Sequence, residues 1–176
     1  MKNNIILIGM MGAGKSTVGI ELAKILTDFK LVDIDSEIEK NTNMKISEIF
    51  SNFDEEYFRN LETEFLQEIC QKENQIIATG GGIFEKEQNR KILKENGKVF
   101  YLKASAETLF DRIKKQTHRP LLKQGFGVDN VKNILDKREA NYSKAHIIVD
   151  TENKPLYNIV KEIAEKGNSN EQRYPS

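Results

Sequence analysis

The chain has 176 residues, of which 27 are basic and 27 acidic, and 38% are hydrophobic. That length suits one domain with a substantial core, and the cancelled charge leaves no overall field to draw the protein to nucleic acid or to an anionic membrane. The single cysteine, Cys70, excludes an internal disulfide and a thiolate metal cage, fits a reducing compartment, and is expected as a small buried hydrophobe.

Met1 to Asn4 pass straight into "IILIG" (5 to 9), an apolar run too short for a signal peptide's core or a membrane span, so the expected location is the cytoplasm. The run itself reads as a first strand. It ends in "GMMGAGKST" (9 to 17), where Gly9, Gly14, Lys15 and Ser16 fit G-x-x-x-x-G-K-[ST]. Backbone N–H groups of such a loop wrap nucleotide phosphates, the lysine reaches the terminal ones, and the hydroxyl binds Mg²⁺. Val18, Leu22, Ile25 and Leu26 then recur at helical spacing, so a helix is expected to start within the loop. Strand, loop and helix in that order are the context the motif requires.

The next apolar run, "LVDID" (31 to 35), carries Asp33 and Asp35 at its end. Side chains alternate with period two along a strand, which predicts that both carboxylates leave on one face. One can hold a water on Mg²⁺ while the other accepts a hydrogen bond from an attacking hydroxyl. "DIDSEIEK" also begins a helix, so an N-cap role for one of them stands beside these.

Between 46 and 73 the pattern predicts a short helix entered at Ser47 and a longer one entered near Asp54. Phe58, Leu61, Phe65, Leu66 and Ile69 mark the apolar stripe of the longer helix, with Arg59 beside it and Glu62 three residues on, within side-chain reach. That pair reads equally well as a surface ion pair worth under about 1 kcal/mol and as part of a site.

"QIIAT" (75 to 79) predicts a third strand, followed by Gly80, Gly81 and Gly82. Three successive glycines favour close backbone approach to a ligand over a plain flexible turn. "KVFYL" (98 to 102) and "HIIVD" (146 to 150) complete five strand candidates, with His146 expected as a half-solvated strand end. Near-continuous apolar strands alternating with helical segments indicate a parallel sheet covered by helices on both faces. Ligands bind outside the carboxyl ends of such strands, where the loop, the aspartates and the glycines all fall.

Residues 112 to 127, "RIKKQTHRPLLKQGFG", are rich in basic side chains and carry Gly125 and Gly127 as hinge points. Beside a phosphate loop they read as a lid. The segment 167 to 176 lacks apolar periodicity and reads as a tail on a single domain spanning 1 to 166.

Taken in order, "GMMGAGKST", "LVDID", "YFRNLE", "TGGG", "HRPLL" and "KREANY" closely resemble the motifs of the shikimate kinase family over about residues 5 to 165. The resemblance implies a three-layer P-loop kinase fold, a five-stranded parallel sheet of order 2-3-1-4-5, a substrate-binding region at about 33 to 62, and a lid at about 112 to 127. It implies transfer of the γ-phosphoryl of ATP, with Mg²⁺, to the 3-hydroxyl of shikimate by a monomeric enzyme. Gly12, Ala13, Gly14, Lys15, Ser16 and Thr17 would bind the nucleotide, with Ser16 and Asp33 serving the metal. Asp35 would meet the acceptor hydroxyls; Arg59, held by Glu62, and Arg138 would clamp the acceptor carboxylate, and Gly80, Gly81 and Gly82 would line it. Lys15, Asp35 and Arg119 would act on the transferring phosphoryl, and Arg112 would stack near adenine. Where many members carry an arginine-rich turn near adenine, this chain has Thr151, Glu152, Asn153, Lys154 and Pro155. Two other readings stand beside this one. A gluconate kinase-like enzyme also handles a carboxylated polyol but lacks the glycine triplet and the "FRNLE" helix. A non-catalytic guanine-nucleotide switch needs Asn-Lys-x-Asp, where "NKPL" at 153 to 156 has Leu156.

Overall fold

The computed structural model describes residues 2–114 and 127–167. Most of the predicted lid, Arg119 included, and the tail from 168 onward lie outside the described residues. Five strands, β1 (Ile5–Ile8), β2 (Lys30–Asp33), β3 (Gln75–Ala78), β4 (Lys98–Lys103) and β5 (Ile147–Asp150), form one sheet in the order β2-β3-β1-β4-β5. Every pairing is parallel, with Ile5 in register with Ile76 on one side and Lys98 on the other. The helices are α1 (Lys15–Ile25), α2 (Ile34–Thr42), α3 (Ile46–Asn52), α4 (Glu55–Ile69), α5 (Glu87–Asn96), α6 (Ala106–Lys114), α7 (Val128–Tyr142) and α8 (Leu156–Gly167), with a 3₁₀ turn at Ile83–Glu85.

Each connection from one parallel strand to the next must cross over through helix, which explains the alternation along the chain. Consecutive residues of a strand point to opposite faces, so burial of all four residues of central β1, Ile5, Ile6, Leu7 and Ile8, requires cover on both sides. At the edge, β5 leaves Ile148 exposed and buries Val149. Cys70 is buried, and burial pushes its thiol up to about 11.

Three local expectations need correction. Strand β2 stops at Asp33, and Ile34 and Asp35 already belong to α2; Asp33 is its N-cap, its Oδ1 taking the Ser36 N–H at 3.1 Å. The two aspartates are therefore brought to one site by a strand end and a first helical turn, not by strand alternation. Helix α3 begins at Ile46, one residue before the predicted cap at Ser47, because the Glu48 carboxylate accepts from the Lys45 N–H at 2.6 Å and sets the start there. Ile25, assigned to the apolar face of α1, is 55% exposed: it lines the groove between α1 and α8, while Leu22 and Leu26 of the same stripe face the core. The entry of α4 at Asp54 agrees with the reading: its carboxylate accepts from the Tyr57 N–H at 2.8 Å.

Candidate active site

The loop after β1 turns through three glycines with positive φ: Gly9 (142°), Gly12 (81°) and Gly14 (90°). A Cβ on Gly9 would lie 2.8 Å from the Leu102 carbonyl oxygen, and one on Gly12 would lie 2.8 Å from that of Leu109. The loop is thus pinned against β4 and α6, and only glycine fits. Gly14 is the N-cap of α1, whose first turn contains no acidic residue, so the unsatisfied N–H groups and the positive end of the helix face outward as an anion site. Lys15 folds back over the loop, its Nζ donating to the carbonyls of Gly9 at 2.8 Å and Met10 at 3.1 Å.

The mouth of this loop is a polar cleft lined by Met11, Gly12, Gly14, Lys15, Ser16, Thr17, Asp33, Asp35, Thr79 and Gly81. The Ser16 hydroxyl donates to Asp33 Oδ2 at 2.8 Å. A hydroxyl and a carboxylate oxygen held together are hard donors of the kind Mg²⁺ takes, and that ion needs only one or two protein oxygens beside its waters and a substrate's phosphates. Among the described residues no group of three or more His, Cys, Asp or Glu could hold a metal by itself, which is compatible with such a shared site.

Next to the cleft lies the Arg59–Glu62 pair of α4. It is no surface pair. Arg59 Nη1 is 2.5 Å from Glu62 Oε2, the Glu62 side chain is 1% exposed and that of Arg59 is 19% exposed, while Arg59 Nη2 also reaches Glu55 at 3.0 Å. Burial works against the charge on Arg59, but Glu62 and Glu55 more than offset it and hold its pKa above the usual value. Burial pushes the Glu62 carboxyl upward; Arg59 opposes that push and Asp35 adds to it. Both carboxylates converge on Gly80: a Cβ there would lie 2.6 Å from Glu62 Oε1 and 2.9 Å from Asp35 Oδ1. A Cβ on Gly82 would lie 2.5 Å from Arg59 Nη2. The glycine triplet is the wall on which the guanidinium and the two carboxylates meet.

Arg138 arrives from α7, its Nη1 donating to the Gly81 carbonyl at 3.2 Å and lying 3.7 Å from Met10 Sδ. The structure thus gathers Lys15, Ser16, Asp33, Asp35, Arg59, Arg138 and the three glycines at the carboxyl ends of β1, β2 and β3. Arg112 lies apart, at the end of α6, donating to the Thr151 side chain at 3.3 Å and to its carbonyl at 3.1 Å. The turn that follows β5 is tied to α6 by Glu152, which accepts from the Ser105 N–H at 2.9 Å and from the hydroxyls of Ser105 and Thr108. Lys154 pairs with Glu162 of α8 at 2.8 Å. In place of an arginine-rich turn, this chain braces the segment with an acidic residue.

Sequence reasoning passed over Glu152, Thr79 and Tyr142. Thr79 lines the cleft while its hydroxyl donates to the Leu7 carbonyl at 2.9 Å, and Tyr142 donates to Gly81. Two of the three have a visible signal, Thr79 as the first residue of "TGGG" and Tyr142 as the last of "KREANY". A second groove, between α1 and α8, is apolar and contains none of these residues. Among the described residues no helix is long and apolar enough to cross a membrane.

Comparison with known proteins agrees with this geometry. Residues 11–167 match the family model described as "Shikimate kinase". A shikimate kinase of Thermodesulfovibrio yellowstonii is 48% identical over 149 residues, covering 85% of this chain and 86% of that one. One from Persephonella marina is 44% identical over 160 residues, covering 91% and 96%. Among solved structures, shikimate kinase from Acinetobacter baumannii in complex with shikimate superposes with a TM-score of 0.87 at 35% identity, covering 97% of this chain and 95% of that one.

Proposed function

Because the chain belongs to the shikimate kinase family, we propose that it transfers the γ-phosphoryl group of ATP to the 3-hydroxyl of shikimate, giving shikimate 3-phosphate and ADP. The observation that carries the assignment of roles is the meeting of Asp35 and the Arg59–Glu62 pair on Gly80, beside the phosphate loop. A carboxylated polyol needs a planar cation for its carboxylate and an anion for its hydroxyls, and both stand within one cleft of a nucleotide site.

In this reading the N–H groups of Gly12, Ala13, Gly14, Lys15, Ser16 and Thr17 hold the donor phosphates, and Lys15 exchanges the carbonyls of its own loop for them. Arg59 and Arg138 hold the acceptor carboxylate, with Gly80, Gly81 and Gly82 as the close-approach wall. Asp35 accepts the hydrogen bond of the attacking hydroxyl and takes its proton as the new oxygen–phosphorus bond forms and the bond to the ADP oxygen breaks. Ser16, with Asp33 behind a water, would hold Mg²⁺, which supplies neutralisation of phosphate charge. Arg112 would cover adenine, and Arg119, outside the described residues, would close over the transferring group from a lid at 112 to 127. The turn Asn153, Lys154, Pro155 would border adenine without supplying an arginine.

The same reading makes the enzyme a cytoplasmic monomer, one domain over 1 to 166 followed by a tail, that serves a small molecule and neither nucleic acid nor membrane. Its balance of 27 basic and 27 acidic residues supports the last of these points, since it leaves no overall field to attract nucleic acid or an anionic membrane. A gluconate kinase-like activity is disfavoured because the glycine triplet and the Arg59–Glu62 helix turn, absent from that family, build the acceptor wall here. The test is ADP production from ATP with shikimate, gluconate or a nucleoside monophosphate as acceptor. Turnover is expected with shikimate alone; turnover with gluconate would move the assignment to that family, and slow turnover indifferent to all three would mean a switch.

A further inference from the structure

Tyr142 is a buried polar residue of α7 that the mechanism above leaves without a task. It is 1% exposed, and its hydroxyl donates to the Gly81 carbonyl. Arg138, one turn earlier on the same helix, donates to that same oxygen at 3.2 Å. Two donors spaced i and i+4 on α7 therefore share one acceptor in the glycine wall. Arg138 also hydrogen-bonds the Tyr142 hydroxyl, but the tyrosine has a second support that does not involve the arginine. Its ring stacks on that of Tyr101, with centroids 4.9 Å apart at 26°, and the Tyr101 hydroxyl donates to Glu139 Oε2 at 2.6 Å while Lys103 holds Oε1 at 2.7 Å. Burial pushes the Tyr142 hydroxyl up to about 12, so it remains a donor throughout the neutral range.

We propose that Tyr142 is a positioning residue for the acceptor: it keeps the Gly81 carbonyl paired when Arg138 leaves that carbonyl for the acceptor's carboxylate. The inference rests on the role given to Arg138 under the proposed function. A half-buried carbonyl stripped of its only donor carries a penalty, and that penalty would weaken acceptor binding. With Tyr142 present the carbonyl keeps one donor in both states. The peptide between Gly81 and Gly82 is planar and trans, so fixing its carbonyl toward α7 also fixes the Gly82 N–H on the opposite side. Tyr142 thus holds the wall in one orientation whether or not Arg138 is engaged.

The test is steady-state kinetics of Tyr142→Phe, which keeps the ring stack and removes the donor. The KM for shikimate is expected to rise roughly five- to twentyfold, with the KM for ATP within twofold of wild type. In an Arg138→Ala background, where no donor is recruited from Gly81, the same change is expected to raise that KM by less than about twofold more; full additivity is what two unrelated structural defects would give. An unchanged KM for shikimate, a parallel rise in both KM values, or full additivity overturns the proposal. Should the variant fail to fold, the Gly81 carbonyl-carbon resonance of the wild type answers instead. It is expected to keep a hydrogen-bonded position through titration with shikimate, and movement to an unbonded position overturns the proposal. Loss of shikimate-dependent ADP production in the wild type would instead overturn the functional reading itself, so the two failures are distinct.

Discussion

Glu62 holds Arg59 by a 2.5 Å ion pair one turn along α4, and the carboxylate of that pair is almost wholly shut off from solvent. A buried carboxylate of this kind is poorly placed to gain stability, because desolvation offsets much of the attraction. Its use is geometric: it holds the guanidinium against Gly82 at the mouth of the cleft.

Arg59→Ala and Arg138→Ala are each expected to raise the KM for shikimate at least tenfold, since a charge-assisted hydrogen bond contributes about 1.5 to 3 kcal/mol. The KM for ATP should move little. Initial rates measured against each substrate in turn decide the matter; an equal loss of ATP affinity would assign these arginines to the phosphate site.

Lys15→Ala is expected to leave less than a tenth of wild-type turnover in a folded protein. Its amine bonds the carbonyls of Gly9 and Met10 at the mouth of the cleft and is no part of the apolar core, so the packing lost is small while phosphate neutralisation disappears. Circular dichroism alongside the ADP assay separates the two; retained turnover above a tenth would count against the site.

Gly80→Ala tests the wall. The added methyl would sit 2.6 Å from Glu62 Oε1 and 2.9 Å from Asp35 Oδ1, and Glu62 is tethered by Arg59 and cannot yield freely. Displacements near an ångström at a reacting centre cost on the order of 10²-fold, so kcat/KM for shikimate should fall by about that factor. A variant with wild-type kinetics would show that the two carboxylates do not need this spacing.

How much of this was legible in the residues alone depended on how local each signal is. The phosphate loop is a contiguous string whose glycines are demanded by backbone geometry, and the strands β1, β3 and β4 announce themselves as apolar runs. The Arg59–Glu62 pairing followed from helical spacing; its burial did not, because the walls that bury it, Gly80, Gly82 and Asp35, come from other elements. The N-cap role that "DIDSEIEK" offers to one of its aspartates falls to Asp33; what the residues do not show is that β2 stops there, so that strand alternation is not what brings Asp33 and Asp35 to one site. Tyr142 and Gly81 are 61 residues apart, as far beyond local patterning as Glu152 and Ser105, 47 residues apart.

His146 supports a prediction on stability. Its Nδ1 accepts the Val99 N–H at 3.0 Å, so the folded protein needs that nitrogen unprotonated. Burial, then Lys94 and Lys98, lower its pKa. The unfolded chain, with a pKa of about 6.5, therefore binds more protons than the folded one in the interval between the two values. The contribution is full above that unfolded pKa and is lost as pH falls toward the depressed folded one. Melting temperatures of wild type and His146→Asn, whose Oδ1 can take the same N–H, should diverge in slope below about pH 6.5, the wild type falling more steeply. Parallel curves from pH 5 to 8 would remove His146 from the account.

The last prediction separates the two aspartates. Asp33 bonds the Ser16 hydroxyl through one oxygen and caps α2 through the other, and asparagine is as good an N-cap as aspartate. Asp33→Asn should therefore fold normally and show its defect in the response to Mg²⁺, because an outer partner of a metal tunes its affinity by roughly 10- to 100-fold. Asp35 lies two residues on, in the first turn of α2, facing Gly80 beside Glu62, where its charge would orient the acceptor hydroxyl and receive its proton. Asp35→Asn keeps the shape and removes the basicity, so kcat should fall by about 10² to 10⁴, the usual contribution of a positioned base. Raising Mg²⁺ should rescue the first variant substantially and the second hardly at all. Initial rate against Mg²⁺ for both settles the division: the reverse pattern would exchange the two roles, and rescue of both would mean that neither carboxylate is the base.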